Sequence, residues 1–381
     1  MNRLIVLSWL LSFPFALLAQ SQPAPAKPPQ VLPQVTSPEV HADRSVTFRF
    51  RAPRAEQVWL ELDGAPPQAM QKGDDGVWSI TTAPLEPDFY GYTFLADGVR
   101  SIDPANSLLK PNLIITASQV HVPGPPSLPW EWNDVPHGEV HRHFYASAVT
   151  GDRRDFYVYT PPGYDFRAEQ TYPVLYLLHG FSDDATGWVS VGRANVIFDN
   201  LIAAGKVKPM IVVMPLGYGA MEALKAGFGV ADSNPPLWRM NLEKFTEALL
   251  SEVIPQVEKA YRATKDRNAH AVAGLSMGGT ESLRTGLNHL DQFAWIGAFS
   301  SGGLDKNFDA MFPRLDARAN AQLRLLWISC GTEDRLITRN RELREWLKSK
   351  GIQHTGIEVP GAHTWMVWRR NLADFAPLLF R

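Results

Sequence analysis

Gly274-Leu275-Ser276-Met277-Gly278 is the stretch from which the rest of the chain can be read. It has the G-x-S-x-G spacing, with an apolar run at 269–273 before it and residues 279–290, which read as a helix, after it. A serine on a sharp strand-to-helix turn exposes its hydroxyl, and the flanking glycines let neighbouring backbone approach where a Cβ would clash. A Gly/Ser turn without chemistry can carry the same letters, so the remaining parts of a nucleophilic site have to be found elsewhere in the chain.

Around this stretch, the second half of the chain alternates strands and helices. Apolar runs at 174–178 and 211–214 are continuous, as strands buried on both faces should be, and further strands are expected at 156–160, 294–299, 323–329 and 355–359. Helices are expected at 194–204, 338–349 and 365–375, and at 239–261 with a kink at Pro255. This alternation predicts an α/β domain with a largely parallel sheet covered on both sides.

A serine hydroxyl needs a base within hydrogen-bond reach and an acid to hold that base in the right tautomer; on such a turn the chain order is serine, acid, histidine. Three histidines follow Ser276. His289 lies about three turns along the next helix, too far to turn back, and His354 precedes its strand and so falls at the wrong edge of the sheet. His363 follows that strand and is the base. The loop Cys330-Gly331-Thr332-Glu333-Asp334 ends the strand at 323–329, and by position both Glu333 and Asp334 qualify as the acid. Two backbone N–H groups are needed for the developing oxyanion. Met277, after the serine, supplies one, and Phe181, in the loop His179-Gly180-Phe181, the other; His179 reads as a residue that fixes this loop.

Composition narrows the function classes. The chain has 381 residues, 45% hydrophobic and 20% charged, with a net charge of −2 and no long single-sign block, which gives no basic field for nucleic acid. Arg3, an apolar core at 4–18 and Ala19 have the layout of a secretory leader (1–19), implying a secreted or periplasmic protein without stable membrane insertion after cleavage. The lone Cys330 says little about redox compartment. A proline-rich spacer (20–38) follows, then short strands with Asp-Gly turns (39–122) that predict a small all-β, immunoglobulin-like sandwich. A second proline-rich linker (123–137) precedes the α/β domain (138–381). His137, His141 and His143 cluster without a metal-ligand pattern, so neither metal nor cofactor is expected.

Two resemblances sharpen this. The 39–122 segment resembles the early-set modules similar to carbohydrate-binding family 48; Trp59, Trp78, Tyr90 and Tyr92 are then candidates for stacking on sugar rings, or for core packing. Leu177-Leu178-His179-Gly180-Phe181 with Gly187-Trp188, Ala273 to Gly279, Cys330 to Asp334 and Gly361-Ala362-His363-Thr364-Trp365 look like the esterase D-like α/β-hydrolases, in particular the carbohydrate esterase family 1 branch of feruloyl and acetyl-xylan esterases. The G-T-x-D loop of that family implies Asp334 as the acid. The resemblance implies a serine carboxylesterase acting through an acyl-enzyme on feruloylated or acetylated polysaccharide, with Trp188, Trp365 and Tyr218 in loops able to bracket an aromatic acid. Siderophore trilactone esterases share the fold and are the alternative.

Overall fold

The computed structural model describes residues 33–381, so the expected leader and the spacer up to residue 32 lie outside the described residues. Residues Val35–Arg381 pack as one compact unit.

Eight strands build the main sheet: β1 (Glu139–Ala146), β2 (Arg153–Thr160), β3 (Val174–Leu178), β4 (Ile211–Pro215), β5 (His270–Leu275), β6 (Trp295–Phe299), β7 (Leu325–Gly331) and β8 (Thr355–Val359), in the order β1-β2-β4-β3-β5-β6-β7-β8. β1 and β2 are antiparallel, and β2 is antiparallel to β4; every pair from β4 to β8 is parallel. The apolar runs at β3, β4 and β5 are buried at every position. The edge strands β1 and β8 carry the mixed polar sequences and are only partly buried.

Side-chain alternation divides the core into two layers. On one face Val174, Tyr176 and Leu178 pack with α2 (Pro235–Ala248), α3 (Met277–Asn288) and α4 (Ile337–Ser349), through Phe245, Leu283, Leu287, Leu343 and Leu347. On the other, Leu175 and Leu177 pack with α1 (Ala194–Ala203) and α5 (Trp365–Phe375), through Ile197, Phe198, Leu372 and Phe375. The expected helix at 239–261 is interrupted: after Ala248 the chain widens into a π-helical turn, Leu249–Val253, before Ile254–Ala260. Pro255 has no N–H and its ring crowds the preceding turn, which accounts for the wider turn just before it.

Ahead of this α/β-hydrolase fold lies an all-β region of two antiparallel sheets, one built on Val46–Arg51 and Val77–Thr81, the other on Val58–Leu62, Asp88–Ala96 and Ala117–Val122. Its core holds Val46, Phe48, Leu60, Tyr92 and Phe94. Three of the four aromatics considered for sugar stacking are buried with their polar atoms engaged: Trp78 donates to the Ala52 carbonyl (2.9 Å), Tyr90 to that of Glu86 (2.7 Å) and Tyr92 to the Asp103 carboxylate (2.8 Å). They are core residues, and only Trp59 is half-exposed.

The proline-rich stretch at 123–137, expected as a linker, is packed against both neighbouring regions. Trp130 is buried with its indole N–H on Asp88 (3.0 Å), and the Asn200 amide donates to the carbonyls of Pro129 and Glu131 (2.8 Å each). Met366 of α5 packs against the all-β core, and Arg369 of α5 is paired with Asp88 at 2.7 Å with both side chains fully buried. Proline content marks an extended chain, and extended chain can be stitched down as well as left free.

Candidate active site

The parallel strands end at one edge, and the loops that leave them carry the residues singled out in the sequence. Ser276 follows β5 with φ 52° and ψ −114°, a left-handed conformation rare for a residue with a Cβ. The glycines around it are required by contact: a Cβ at Gly274 would lie 2.6 Å from Gly278 backbone, and one at Gly278 would lie 2.5 Å from the carbonyl oxygens of Leu178 and His179. The turn therefore closes against the end of β3, and the Ser276 hydroxyl stands clear of it.

Ser276, His363 and Asp334 come together in one hydrogen-bonded row. Ser276 Oγ is 3.0 Å from His363 Nε2, and His363 Nδ1 is 2.7 Å from Asp334 Oδ2. A carboxylate on Nδ1 fixes that nitrogen as the N–H and leaves Nε2 as the acceptor facing the serine. Asp334 is buried, and its other oxygen accepts the Leu336 N–H (2.9 Å). Burial opposes its charge, but the hydrogen bond and charge of His363 outweigh it and hold the carboxyl below its ordinary value. Glu333, equivalent by position alone, is exposed to solvent.

The N–H groups of Phe181 and Met277 engage no acceptor among the described residues, whereas the next N–H groups along, Ser182 and Gly278, are bonded to Tyr218 Oη (2.5 Å) and the His179 carbonyl (3.1 Å). His179 is buried; its Nδ1 donates to the Gly180 carbonyl (2.8 Å) and its Nε2 accepts from the Gly217 N–H (2.8 Å). Burial pushes its pKa down, so the ring is a neutral strut between two loops.

The cleft over Ser276 has a volume of about 200 Å³ and is lined by Phe181, Phe228, Arg335, His363, Trp365 and Trp368 from the hydrolase side. Asp63, Lys110 and Asn112 of the all-β region line it too, and it adjoins a hollow of about 390 Å³ that shares them. Of the three aromatics named as acid-bracketing, Trp365 reaches this cleft. Trp188 and Tyr218 do not line it: both are fully buried. The Trp188 indole donates to the Leu178 carbonyl (2.9 Å) and its ring meets Trp365 edge-on, while the Tyr218 hydroxyl is held by Ser182. They shape the loops behind the cleft. Trp368 and Phe228 were missed; Trp368 had a signal, since it stands one helical turn after Trp365 on α5. Asp63, Lys110 and Asn112 had none, because only tertiary packing brings them here.

The family model named Esterase matches residues 147–379. The chain belongs to this esterase family and is of the CE1 type. An endo-1,4-beta-xylanase/feruloyl esterase of Xylanibacter ruminicola is 31% identical over 355 residues, which is 90% of this chain and 46% of that protein. This esterase thus spans less than half the length of that relative. The CE1 ferulic acid esterase of Anaeromyces mucronatus superposes with a TM-score of 0.57 at 25% identity, over 66% of this chain and 93% of that one. The enterobactin esterase of Shigella flexneri, at 19% identity, shares the fold over 87% of this chain and 92% of that one, with a TM-score of 0.63.

Proposed function

We propose that this esterase is a serine carboxylesterase that releases hydroxycinnamoyl groups, ferulate in particular, from plant cell-wall polysaccharide outside the cytoplasm. The hydrogen-bonded row Ser276–His363–Asp334, with the Phe181 and Met277 N–H groups unpaired among the described residues, is the observation that supports the chemistry. The likeness to the Xylanibacter ruminicola protein over 90% of the chain supports the substrate. No helix of the described residues is long and apolar enough to cross a membrane.

In this reading Ser276 Oγ attacks the ester carbonyl carbon while His363 Nε2 takes its proton. The charge moves onto the carbonyl oxygen, where the Phe181 and Met277 N–H groups meet it. As the tetrahedral species collapses, the C–O bond to the sugar breaks and His363 returns the proton to the leaving oxygen. Water then attacks the acyl-enzyme with His363 again as base, freeing the acid and restoring Ser276. Asp334 stays a carboxylate throughout and stabilises the imidazolium. Phe181, Phe228, Trp365 and Trp368 offer aromatic walls for the acyl group, and the hollow along Asp63 and Lys110 offers polar contacts for the sugar chain.

The test is an ester panel with the parent enzyme and Ser276→Ala: ferulate from methyl ferulate and from arabinoxylan, acetate from acetyl-xylan, and dihydroxybenzoyl-serine from enterobactin. Ferulate release should dominate, and Ser276→Ala should lose up to ~10⁶ in turnover while folding normally. A parent that prefers enterobactin or acetyl-xylan refutes the substrate, and turnover retained by the variant refutes the nucleophile.

A further inference from the structure

The loop that carries the Phe181 N–H contains a second strained residue. Ser182 has φ 73°, again left-handed for a side chain with a Cβ, and it directly follows Phe181, which lines the cleft and whose N–H has no acceptor among the described residues. Such a conformation persists only where the surroundings over-determine it. Here it is gripped from two sides. Within the hydrolase fold, the Ser182 N–H donates to Tyr218 Oη at 2.5 Å. From the all-β region, Leu113 N–H donates to the Ser182 carbonyl at 2.7 Å, and the Asn112 amide donates to Ser182 Oγ at 2.9 Å and to Asp183 Oδ1 at 3.0 Å.

The Asn112 side chain is itself locked. Its Oδ1 accepts the backbone N–H groups of Ile114 (3.0 Å) and Ile115 (2.9 Å), which identifies the oxygen and turns the NH₂ toward the catalytic loop. Both amide hydrogens are thereby used, one on each of two adjacent residues. Asp183 completes the turn by donating its N–H to the Gly180 carbonyl (3.2 Å), so the clamp spans both sides of Phe181. Burial pushes the Asp183 carboxyl up to about 7, with Lys110 and the Asn112 bond opposing, so this acceptor sits in a poorly solvated spot where a lost donor is felt.

We infer that Asn112 is a positioning residue for ester hydrolysis: from the all-β region it holds Ser182 in its left-handed conformation and so aims the Phe181 N–H at the oxyanion. The inference rests on the serine-esterase reading above. The all-β region then acts on the chemical step itself, separately from any contact with a sugar chain. Without the amide, Ser182 keeps only its bonds to Tyr218 Oη and the Leu113 N–H, and the strain of its left-handed conformation shifts the peptide units on either side of it. The oxyanion then loses one aligned donor, whereas ground-state binding of the ester, set by the cleft walls, changes little.

The experiment is steady-state kinetics on methyl ferulate with Asn112→Ala and the double variant Asn112→Ala/Ser182→Gly, with melting temperatures measured in parallel. Loss of one oxyanion donor lowers kcat by about 10²–10³, so misaiming one should cost Asn112→Ala roughly 10- to 100-fold in kcat, with KM within about two-fold. Glycine adopts the left-handed conformation without the Cβ penalty, so the double variant should regain at least about a third of the parental kcat without regaining the single variant's lost melting temperature. Inactivation by a phosphonate ester, whose oxygen takes the oxyanion position, should fall and recover in the same order. Should Asn112→Ala be insoluble, Asn112→Asp keeps the acceptor for Ile114 and Ile115 but loses both donors, and makes the same test. A kcat within two-fold of the parent overturns the inference, as does a loss that appears in KM or that Ser182→Gly leaves unrepaired. Parental turnover in Ser276→Ala would instead overturn the underlying reading.

Discussion

Removing the Asp88 carboxylate tests whether the all-β region and the helix behind His363 are one mechanical unit. Asp88 and Arg369 lie 2.7 Å apart with both side chains fully buried. The guanidinium also donates to the carbonyls of Phe89 (2.7 Å) and Val191 (2.9 Å), and Asp88 Oδ1 accepts from Trp130 Nε1 (3.0 Å) and the Phe89 N–H (2.8 Å). Burial pushes Arg369 down from its ordinary value while the Asp88 charge opposes the shift. Asp88→Ala strands the guanidinium among carbonyls, and breaking a buried pair in this way costs about 3–5 kcal/mol. At about 2.1 cal/mol/K of unfolding entropy per residue, roughly 350 folded residues lose about 0.7 kcal/mol for each degree, so the melting temperature should drop by about 4–7 °C. Replacing both partners, Asp88→Ala with Arg369→Met, should recover most of that drop, because neither charge is then stranded. The assay is scanning calorimetry of the three variants with kcat measured alongside. Because α5 begins two residues after His363, kcat should fall in Asp88→Ala and return in the double variant. A melting temperature within 1 °C of the parent, or a double variant less stable than Asp88→Ala, would refute the reasoning.

Two further outcomes follow from local chemistry. Glu281 on α3 is fully buried, and neither carboxyl oxygen has a hydrogen-bond partner among the described residues; burial raises its pKa well above the ordinary 4.5. The folded state therefore keeps a proton that the unfolded chain releases above 4.5, so this group's contribution is intact below that value and is lost as pH rises, by about 1.36 kcal/mol per unit, until the folded pKa is passed. Glu281→Gln should be more stable than the parent above neutral pH and no more stable near pH 4, read from urea midpoints; Asp183, shifted in the same direction, titrates in both proteins, so parallel curves would count against the idea. Gly278→Ala places its Cβ 2.5 Å from two carbonyl oxygens that belong to backbone and cannot swing away, and should cost at least about 3 kcal/mol. Gly98→Ala, at φ 84° but with nothing within 4 Å, should cost only about 1 kcal/mol, and equal losses at the two sites would show that contact is not what matters at the elbow.

The catalytic domain was legible because its signals are local or periodic. Continuous apolar runs marked β3, β4 and β5, four-residue spacing marked the helices, and chain order with the sheet-edge rule singled out His363 and left the acid between Glu333 and Asp334. The side chains then meet within 3.0 Å because every loop in question leaves the same edge of one sheet. The aromatics were not legible. Tryptophan and tyrosine read alike whether they wall a cleft or fill a core, and Trp188, Tyr218, Trp78 and Tyr92 went to cores. What packs against the stretch at 123–137 was likewise not legible, since proline sets an extended backbone without naming its partners.

Hydrophobic period and glycine at positions with no room for a Cβ specified an α/β domain with a largely parallel sheet, the order of its elements and the strand-turn-helix that exposes Ser276, and the motifs at its loops carried the resemblance to the α/β-hydrolases. Tertiary packing alone buries Asp88 against Arg369 and brings Asn112 to Ser182, partners separated by 281 and 70 positions in the sequence respectively. Contacts of that separation depend on how two finished surfaces dock, and no local pattern in either segment encodes the other's position.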